Sequence, residues 1–175
     1  MKKELDWMKR SINTCNMCSI RNNQNALFSN ISNSYIDNIH RYYTKISPNE
    51  TIYNQDNQDN YIYTIKSGIV AMSSINDDFK SNITELATSG MIIGIEATNN
   101  QAYIQNAISI TPVSLCKIQL SQEYIQNHKN QTLYSNLANK WQEKYINQIK
   151  ITEFNSGTTR QRLLRLFKYL EQHTY

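Results

Sequence analysis

The hydrophobic positions of the chain follow two different periods, which divide it into three parts. Over residues 26–43, and again after residue 121, apolar side chains recur every three or four residues, as on one face of a helix. Between residues 44 and 118, short β-prone runs alternate with polar or glycine-containing turns. These runs are Ile52–Tyr53, Tyr61–Ile65, Ile69–Ala71, the residues around Ile83, Met91–Ile95, Tyr103–Ile104, Ala107–Ile110 and Val113–Ile118. The pattern predicts a small antiparallel sandwich or barrel flanked by helices.

The segment after the predicted barrel carries one long apolar stripe over about five helical turns. Its members are Leu133, Tyr134, Leu137, Ala138, Trp141, Tyr145 and Ile149. A helix of this length exceeds what a small domain needs, so we predict a dimer seam formed by Leu133, Leu137, Trp141, Tyr145 and Ile149. The sequence Asn155-Ser156-Gly157 predicts the end of this helix. Thr158 or Thr159 then offers an N-cap for a second helix, Arg160–Gln172.

Composition and charge narrow the class of protein. The 175 residues are 39% hydrophobic, which allows a buried core, and the formal net charge of +4 does not by itself indicate nucleic-acid binding. No apolar run approaches the roughly 18 residues of a membrane span. The N-terminal residues, which could form a short helix over residues 4–12, lack the apolar stretch of a signal peptide. An odd number of cysteines without such a signal predicts a cytoplasmic protein.

The three cysteines are the main candidates for chemistry. Cys15 and Cys18 form a Cys-x-x-Cys pair, and Cys116 lies far along the chain. Such a pair can bind metal, hold an iron–sulfur cluster, form a redox disulfide or have no role. The chain shows no His-x-His metal set, no nucleophile beside a histidine and acid, and no phosphate-binding glycine loop. We therefore predict that it is not an enzyme.

Several stretches together resemble the CRP/FNR family of bacterial transcription regulators over nearly the whole chain. They are Glu50–Tyr53 followed by Gln55-Asp56, Tyr61–Val70, Gly90–Gly94, Ile110–Cys116 and Arg160–Leu166. The resemblance implies an α+β, mainly β fold: a double-stranded β-helix jelly roll of the cyclic-nucleotide-binding type, with short N-terminal helices before it and a long dimerisation helix after it. It divides the chain into a cysteine segment (1–25), a sensory β-roll (26–120), a dimerisation helix (121–155) and the start of a truncated winged helix-turn-helix domain (158–175).

The residues at the expected ligand pocket favour the FNR branch of this family over its cyclic-AMP branch. The pocket would involve Gly94, Ile95, Glu96, Gln105 and Asn106. Gln105 and Asn106 stand where cyclic-AMP receptors carry an Arg-Ser pair. A cyclic phosphate needs a fixed arginine, so cyclic-nucleotide binding is not expected.

The FNR resemblance gives the cysteines a shared role. It implies that Cys15, Cys18 and Cys116 occupy three ligand positions of an iron–sulfur cluster. The fourth position aligns with Gln24, a poor cluster ligand. A cluster completed by another ligand, a remnant without function, thiol–disulfide sensing and zinc binding all stay open at this point.

The resemblance implies a homodimeric transcription regulator, of which these residues form the sensory and dimerisation portion, responsive to redox state or oxygen. It also implies DNA and RNA polymerase as partners, although the DNA-recognition helix is not among the 175 residues. Two alternatives remain: a β-roll regulator that senses a small ligand such as a cyclic nucleotide, or a dimerising interaction module without a sensor.

Overall fold

The structure, a computed structural model, describes residues 18, 20, 26–75, 81–120, 125–126, 129–154 and 157–173. Within these residues, eight antiparallel strands form two four-stranded sheets with the orders β1-β8-β3-β6 and β2-β7-β4-β5. The strands are β1 (Arg41–Ile46), β2 (Thr51–Tyr53), β3 (Tyr61–Ser67), β4 (Val70–Ile75), β5 (Ser81–Ala87), β6 (Ile92–Ile93), β7 (Asn106–Ser109) and β8 (Val113–Gln119). The predicted β-roll, mainly β with helices on either side, is confirmed.

The strands differ from the prediction at three places. Tyr42 and Tyr43 belong to β1 rather than to a helix, and Tyr43 pairs with Cys116 of β8. Aromatic and β-branched side chains suit such a pleated surface. The predicted strand Met91–Ile95 is shorter, because a 3-10 helix, η1 (Ile95–Asn99), begins after Gly94. Tyr103 and Ile104 form no strand.

Three α-helices are described: α1 (Asn33–Asp37), α2 (Gln131–Phe154) and α3 (Thr159–His173). The long helix α2 begins ten residues later than the predicted residue 121. The side-chain oxygen of Asn130 accepts the Leu133 N–H at 3.0 Å at this start. Thr158 and Gln161 cap α3 reciprocally, since each side chain accepts the other residue's backbone N–H. The cap predicted at Thr158 is confirmed.

Helix α2 packs against the roll and contributes to its core. Leu133 and Leu137 are buried together with residues from both sheets, and Trp141 packs against the same cluster. The Asn136 side chain also donates to the backbone oxygens of Leu27 and Ser29, at 2.9 and 3.1 Å. The predicted dimer seam is therefore wrong at Leu133 and Leu137, because this chain's own roll already covers them.

The predicted helix over residues 4–12, Cys15 and Gln24 lie outside the described residues. None of the described helices is both long enough and apolar enough to cross a membrane.

Candidate functional site

The candidate site begins at the turn between β6 and η1. Gly94 has φ +70°, and a Cβ there would lie 2.9 Å from a ring carbon of Tyr103 and 3.3 Å from the Tyr61 carbonyl oxygen. Only glycine combines this left-handed backbone with such a close approach. The turn delivers Ile95 and Glu96 into the interior, where both are buried.

Glu96 forms an ion pair with Lys144, which lies on α2. The Glu96 side chain is 4% exposed and that of Lys144 is 13% exposed. A buried ion pair contributes little net stability compared with apolar packing, but removing one partner leaves an uncompensated buried charge. The pair therefore joins α2 to the roll through two buried charges.

A second carboxyl group, Glu85 on β5, lies near this pair. Glu85 is buried, and it forms no hydrogen bond or ion pair with any described residue. Burial raises the pKa of Glu85; the charge of Lys144 opposes this rise and the charge of Glu96 adds to it. The three groups are thus coupled electrostatically, with two acids against one base.

The two positions aligned with the Arg-Ser pair of cyclic-AMP receptors hold neutral amides with structural contacts. Gln105 is 5% exposed, and its Nε2 donates to the Thr84 hydroxyl at 2.6 Å. Its Oε1 is buried without a hydrogen-bond partner among the described residues. Asn106 uses its side-chain oxygen to accept the Gln55 backbone N–H at 2.9 Å.

Stacked tyrosines fill the interior of the roll beside Glu96. The ring of Tyr53 lies 4.0 Å from that of Tyr103 and 5.4 Å from that of Tyr63, measured between centroids. The Tyr103 hydroxyl donates to the Tyr61 carbonyl at 2.7 Å. Burial, reinforced by the charge of Glu96, raises the pKa of Tyr53 well above its usual range. The raised pKa keeps the Tyr53 hydroxyl neutral at physiological pH.

Glu85 and Lys144 were not predicted as site residues. Lys144 departs from the apolar stripe of α2, and Glu85 carries a charge at a buried position of a β-strand. For both residues, the sequence signal is a charged side chain at a position where the pattern predicts burial. The sequence does not show that Glu85 and Lys144 are close together, because this depends on how α2 packs against the roll.

The cysteines lie on other parts of the molecule. Cys116 is half-buried on β8, where it pairs with Tyr43 of β1 and Thr64 of β3. Cys18 is also half-buried, and neither thiol forms a disulfide. No group of three histidine, cysteine or acidic side chains suited to a metal occurs within the described residues, and Cys15 lies outside them. Thiolates are the donors that iron–sulfur clusters use, so these two residues fit that group in chemistry, while the full ligand set lies partly outside the described chain.

The comparison with protein families decides the type of roll. Residues 43–123 match the family model of the cyclic nucleotide-binding domain. These residues have the fold of a cyclic nucleotide-binding domain. The roll that the CRP/FNR resemblance implied is thereby confirmed. No curated protein sequence matches the chain significantly.

Solved structures with the same fold include bacterial regulators and a kinase subunit. The sensor domain of the transcriptional regulator DNR from Pseudomonas aeruginosa has a TM-score of 0.63 and 14% identity, covering 79% of this chain and 95% of that one. The CRP-family regulator TTHB099 from Thermus thermophilus has a TM-score of 0.57 and 19% identity, covering 75% and 65%. The regulatory domain of Toxoplasma gondii PKA, solved with cAMP, has a TM-score of 0.54 and 14% identity, covering 65% and 44%.

These likenesses are to the fold. The chain spans 60% of the length of a second DNR structure. Within the matched residues, Glu85 and Glu96 are both buried, and Lys144 of α2 pairs with Glu96.

Proposed function

We propose that the chain is the sensory and dimerisation part of a cytoplasmic CRP/FNR-type transcription regulator. The observation that carries this proposal is the division of α2 into two halves. Its N-terminal half packs into the roll through Leu133 and Leu137, and Lys144 pairs with Glu96. Beyond Lys144, large apolar side chains are exposed. The helix thus connects a sensor-type domain to a surface that a second copy can cover.

The proposed dimer surface consists of Tyr145, Ile146 and Ile149. Tyr145 is 69% exposed and Ile149 is 49% exposed, and their spacing of four residues places them on one face of α2. Two such helices packed together would bury these side chains in the manner of a coiled coil.

The dimer proposal is tested by placing a charge on this face. We expect Ile149→Glu to raise the dimer dissociation constant by at least about tenfold, since a buried glutamate at the seam would lack a partner. Sedimentation equilibrium measures the effect. Gln148→Glu is the matched control, because it adds the same charge at an exposed position about 100° around the helix from Ile149. The proposal is contradicted if the wild-type protein is a monomer, or if the dimer dissociation constant of Ile149→Glu equals that of the wild type.

We propose further that the signal is redox state or oxygen, sensed by an iron–sulfur cluster bound through Cys15, Cys18 and Cys116. The donor chemistry supports this, as does the placement of Cys116 on a strand that pairs with β1, the first strand after the N-terminal segment. Bound to both parts, such a cluster would tie the segment carrying Cys15 and Cys18 to the roll. Its loss would release that segment.

Anaerobic purification followed by iron and sulfide analysis tests the cluster. We expect iron and sulfide to co-purify with the wild type, with visible absorbance that air bleaches. Cys116→Ser should lose the iron, while Ser114→Ala, two residues away on the same face of β8, should keep it. A protein without iron before and after reconstitution would rule out the cluster and leave the dimer proposal intact.

The proposed partners DNA and RNA polymerase would be engaged by the longer protein. Helix α3 leaves Leu163, Leu164 and Phe167 exposed on its surface. We expect this face to pack against a following winged helix-turn-helix domain, whose recognition helix would read the DNA.

A further inference from the structure

The side chain of Lys66, on β3, reaches across β8 to an aromatic ring on β1. The sheet order β1-β8-β3 places β8 between the other two strands. The Nζ atom of Lys66 nevertheless lies 5.0 Å from the centroid of the Tyr43 ring. Neighbouring strands are about 4.8 Å apart, so these two side chains meet above β8. An aromatic ring attracts a cation at this distance, and Tyr43 therefore holds the ammonium over the middle strand.

The residue of β8 next to this contact is Cys116. It is the cross-strand partner of Tyr43 on one side and of Thr64 on the other. Directly opposed residues of antiparallel strands project to the same face of the sheet, so Cys116 shares its face with the Tyr43 ring. The contact with Tyr43 places the Lys66 ammonium on this face too. The thiol of Cys116 thus has a fixed positive charge on its own side of the roll.

The strands around Cys116 offer this ammonium no acidic partner. The strands β1, β3 and β8 contain no aspartate or glutamate. Lys66 also lies at a β-bulge, because the register of β3 with β8 shifts between Ile65 and Ser67. Bulges re-aim side chains and are common next to functional sites. Lys66 consequently brings a positive charge to the face of Cys116 that no carboxylate of these strands neutralises.

We propose that Lys66 raises the reduction potential of the iron–sulfur cluster that Cys116 would help to bind, with Tyr43 as its positioning residue; the inference rests on the proposed cluster. Thiolate ligands are anionic, and reduction adds one electron and thus one further negative charge. A fixed cation stabilises the reduced state more than the oxidised state, since its attraction grows with that charge. Lys66 is half-buried, which limits screening of its charge by water and salt.

A spectroelectrochemical titration of the full chain, purified anaerobically and analysed for iron and sulfide, tests this proposal. Lys66→Met removes the ammonium and keeps the apolar stem, whereas Lys66→Arg keeps the charge. Tyr43→Leu removes the ring that positions Lys66. Lys168→Met is the matched control, because it removes the same charge from an exposed position on α3.

We expect Lys66→Met to lower the equilibrium constant for one-electron reduction at least about tenfold, which is a fall of about 59 mV in the potential. Tyr43→Leu should lower the potential by a smaller amount, because the ammonium remains but is no longer held above β8. Lys66→Arg and Lys168→Met should change the constant by less than about twofold. The iron content of all four variants should equal that of the wild type, since none of them removes a ligand.

The outcomes separate this inference from the cluster proposal. If Lys66→Met keeps its iron and the wild-type potential, or if Lys168→Met shifts the potential equally, this inference is wrong and the cluster proposal stands. An iron-free wild type overturns both. If Lys66→Met binds no iron, Tyr43→Leu decides, and an unchanged potential in that variant overturns the inference.

Discussion

Replacing Lys144 with methionine should destabilise the protein strongly. Methionine keeps the length and apolar stem of lysine and removes only the ammonium. The Glu96 carboxylate, on a side chain that is 4% exposed, then loses its ion-pair partner and faces Glu85 without compensation. Breaking a buried pair by removing one partner typically costs about 3–5 kcal/mol.

Two features of the site place the cost in this range. The Glu96 side chain is 4% exposed, so water screens its charge little, and the charge of Glu85 acts on the same site. Methionine offers no N–H donor that could replace the ammonium of Lys144.

Urea denaturation at pH 7 measures the effect. We expect Lys144→Met to lower the free energy of unfolding by about 3–5 kcal/mol. Lys140→Met is the control on the same helix. Its partner Glu143 is 47% exposed, so the loss should be smaller, about 1 kcal/mol or less. A Lys144→Met loss below about 1 kcal/mol would refute the reasoning.

Three further predictions concern stability measured in the same way. The raised pKa of Glu85 means that its carboxyl group contributes stability below pH 4.5, and this contribution is lost as the pH rises through the raised value. The free energy of unfolding of Glu85→Gln should therefore exceed that of the wild type at pH 8 and equal it near pH 4.5. Gly68→Ala should cost at least about 2 kcal/mol more than Gly90→Ala. Both glycines have positive φ, but a Cβ at Gly68 would lie 2.4 Å from the Pro112 carbonyl oxygen, whereas Gly90 faces open space. Leu133→Ala should cost about 2–5 kcal/mol, as expected for a buried leucine, and a loss under 1 kcal/mol would contradict its place in the core.

Local sequence patterns predicted most of the roll. Alternation of apolar and polar residues located β3 and β8, whose residues Ile65 and Leu115 are buried partners in adjacent strands. The pattern failed at β1, because Tyr42 and Tyr43 also continued the helical spacing of the preceding residues. Pairing with β8, more than 70 residues away, decides this segment, and such long-range pairing is not visible in a local window.

The sequence predicted those residues of the candidate site that lie close together along the chain, and it missed those that tertiary packing brings in. The motif match located Gly94, Glu96 and Gln105 in the pocket region, because their spacing is set within one short stretch of chain. Glu85 and Lys144 come from β5 and α2, and only tertiary packing brings their charges near Glu96. The sequence could show that each was a charge in an unusual position. It could not show that the charges meet.

The predicted dimer seam was wrong at Leu133 and Leu137 because the apolar stripe of α2 was assigned entirely to contact with a second copy. The apolar stripe runs through Leu133, Leu137 and Tyr145, but the face towards the roll continues from Leu137 to Lys140 and Lys144, which are 9% and 13% exposed. This face follows the spacing of four, three and four residues that keeps side chains on one side of a helix. Trp141 still packs against the core, and beyond it Lys144 contacts the roll through Glu96 while Tyr145 and Ile149 are exposed. The Lys144–Glu96 pair lies at this transition. If two copies pair through the proposed surface, loss of the Lys144–Glu96 contact is expected to weaken the dimer as well as the fold, and sedimentation equilibrium of Lys144→Met would measure this.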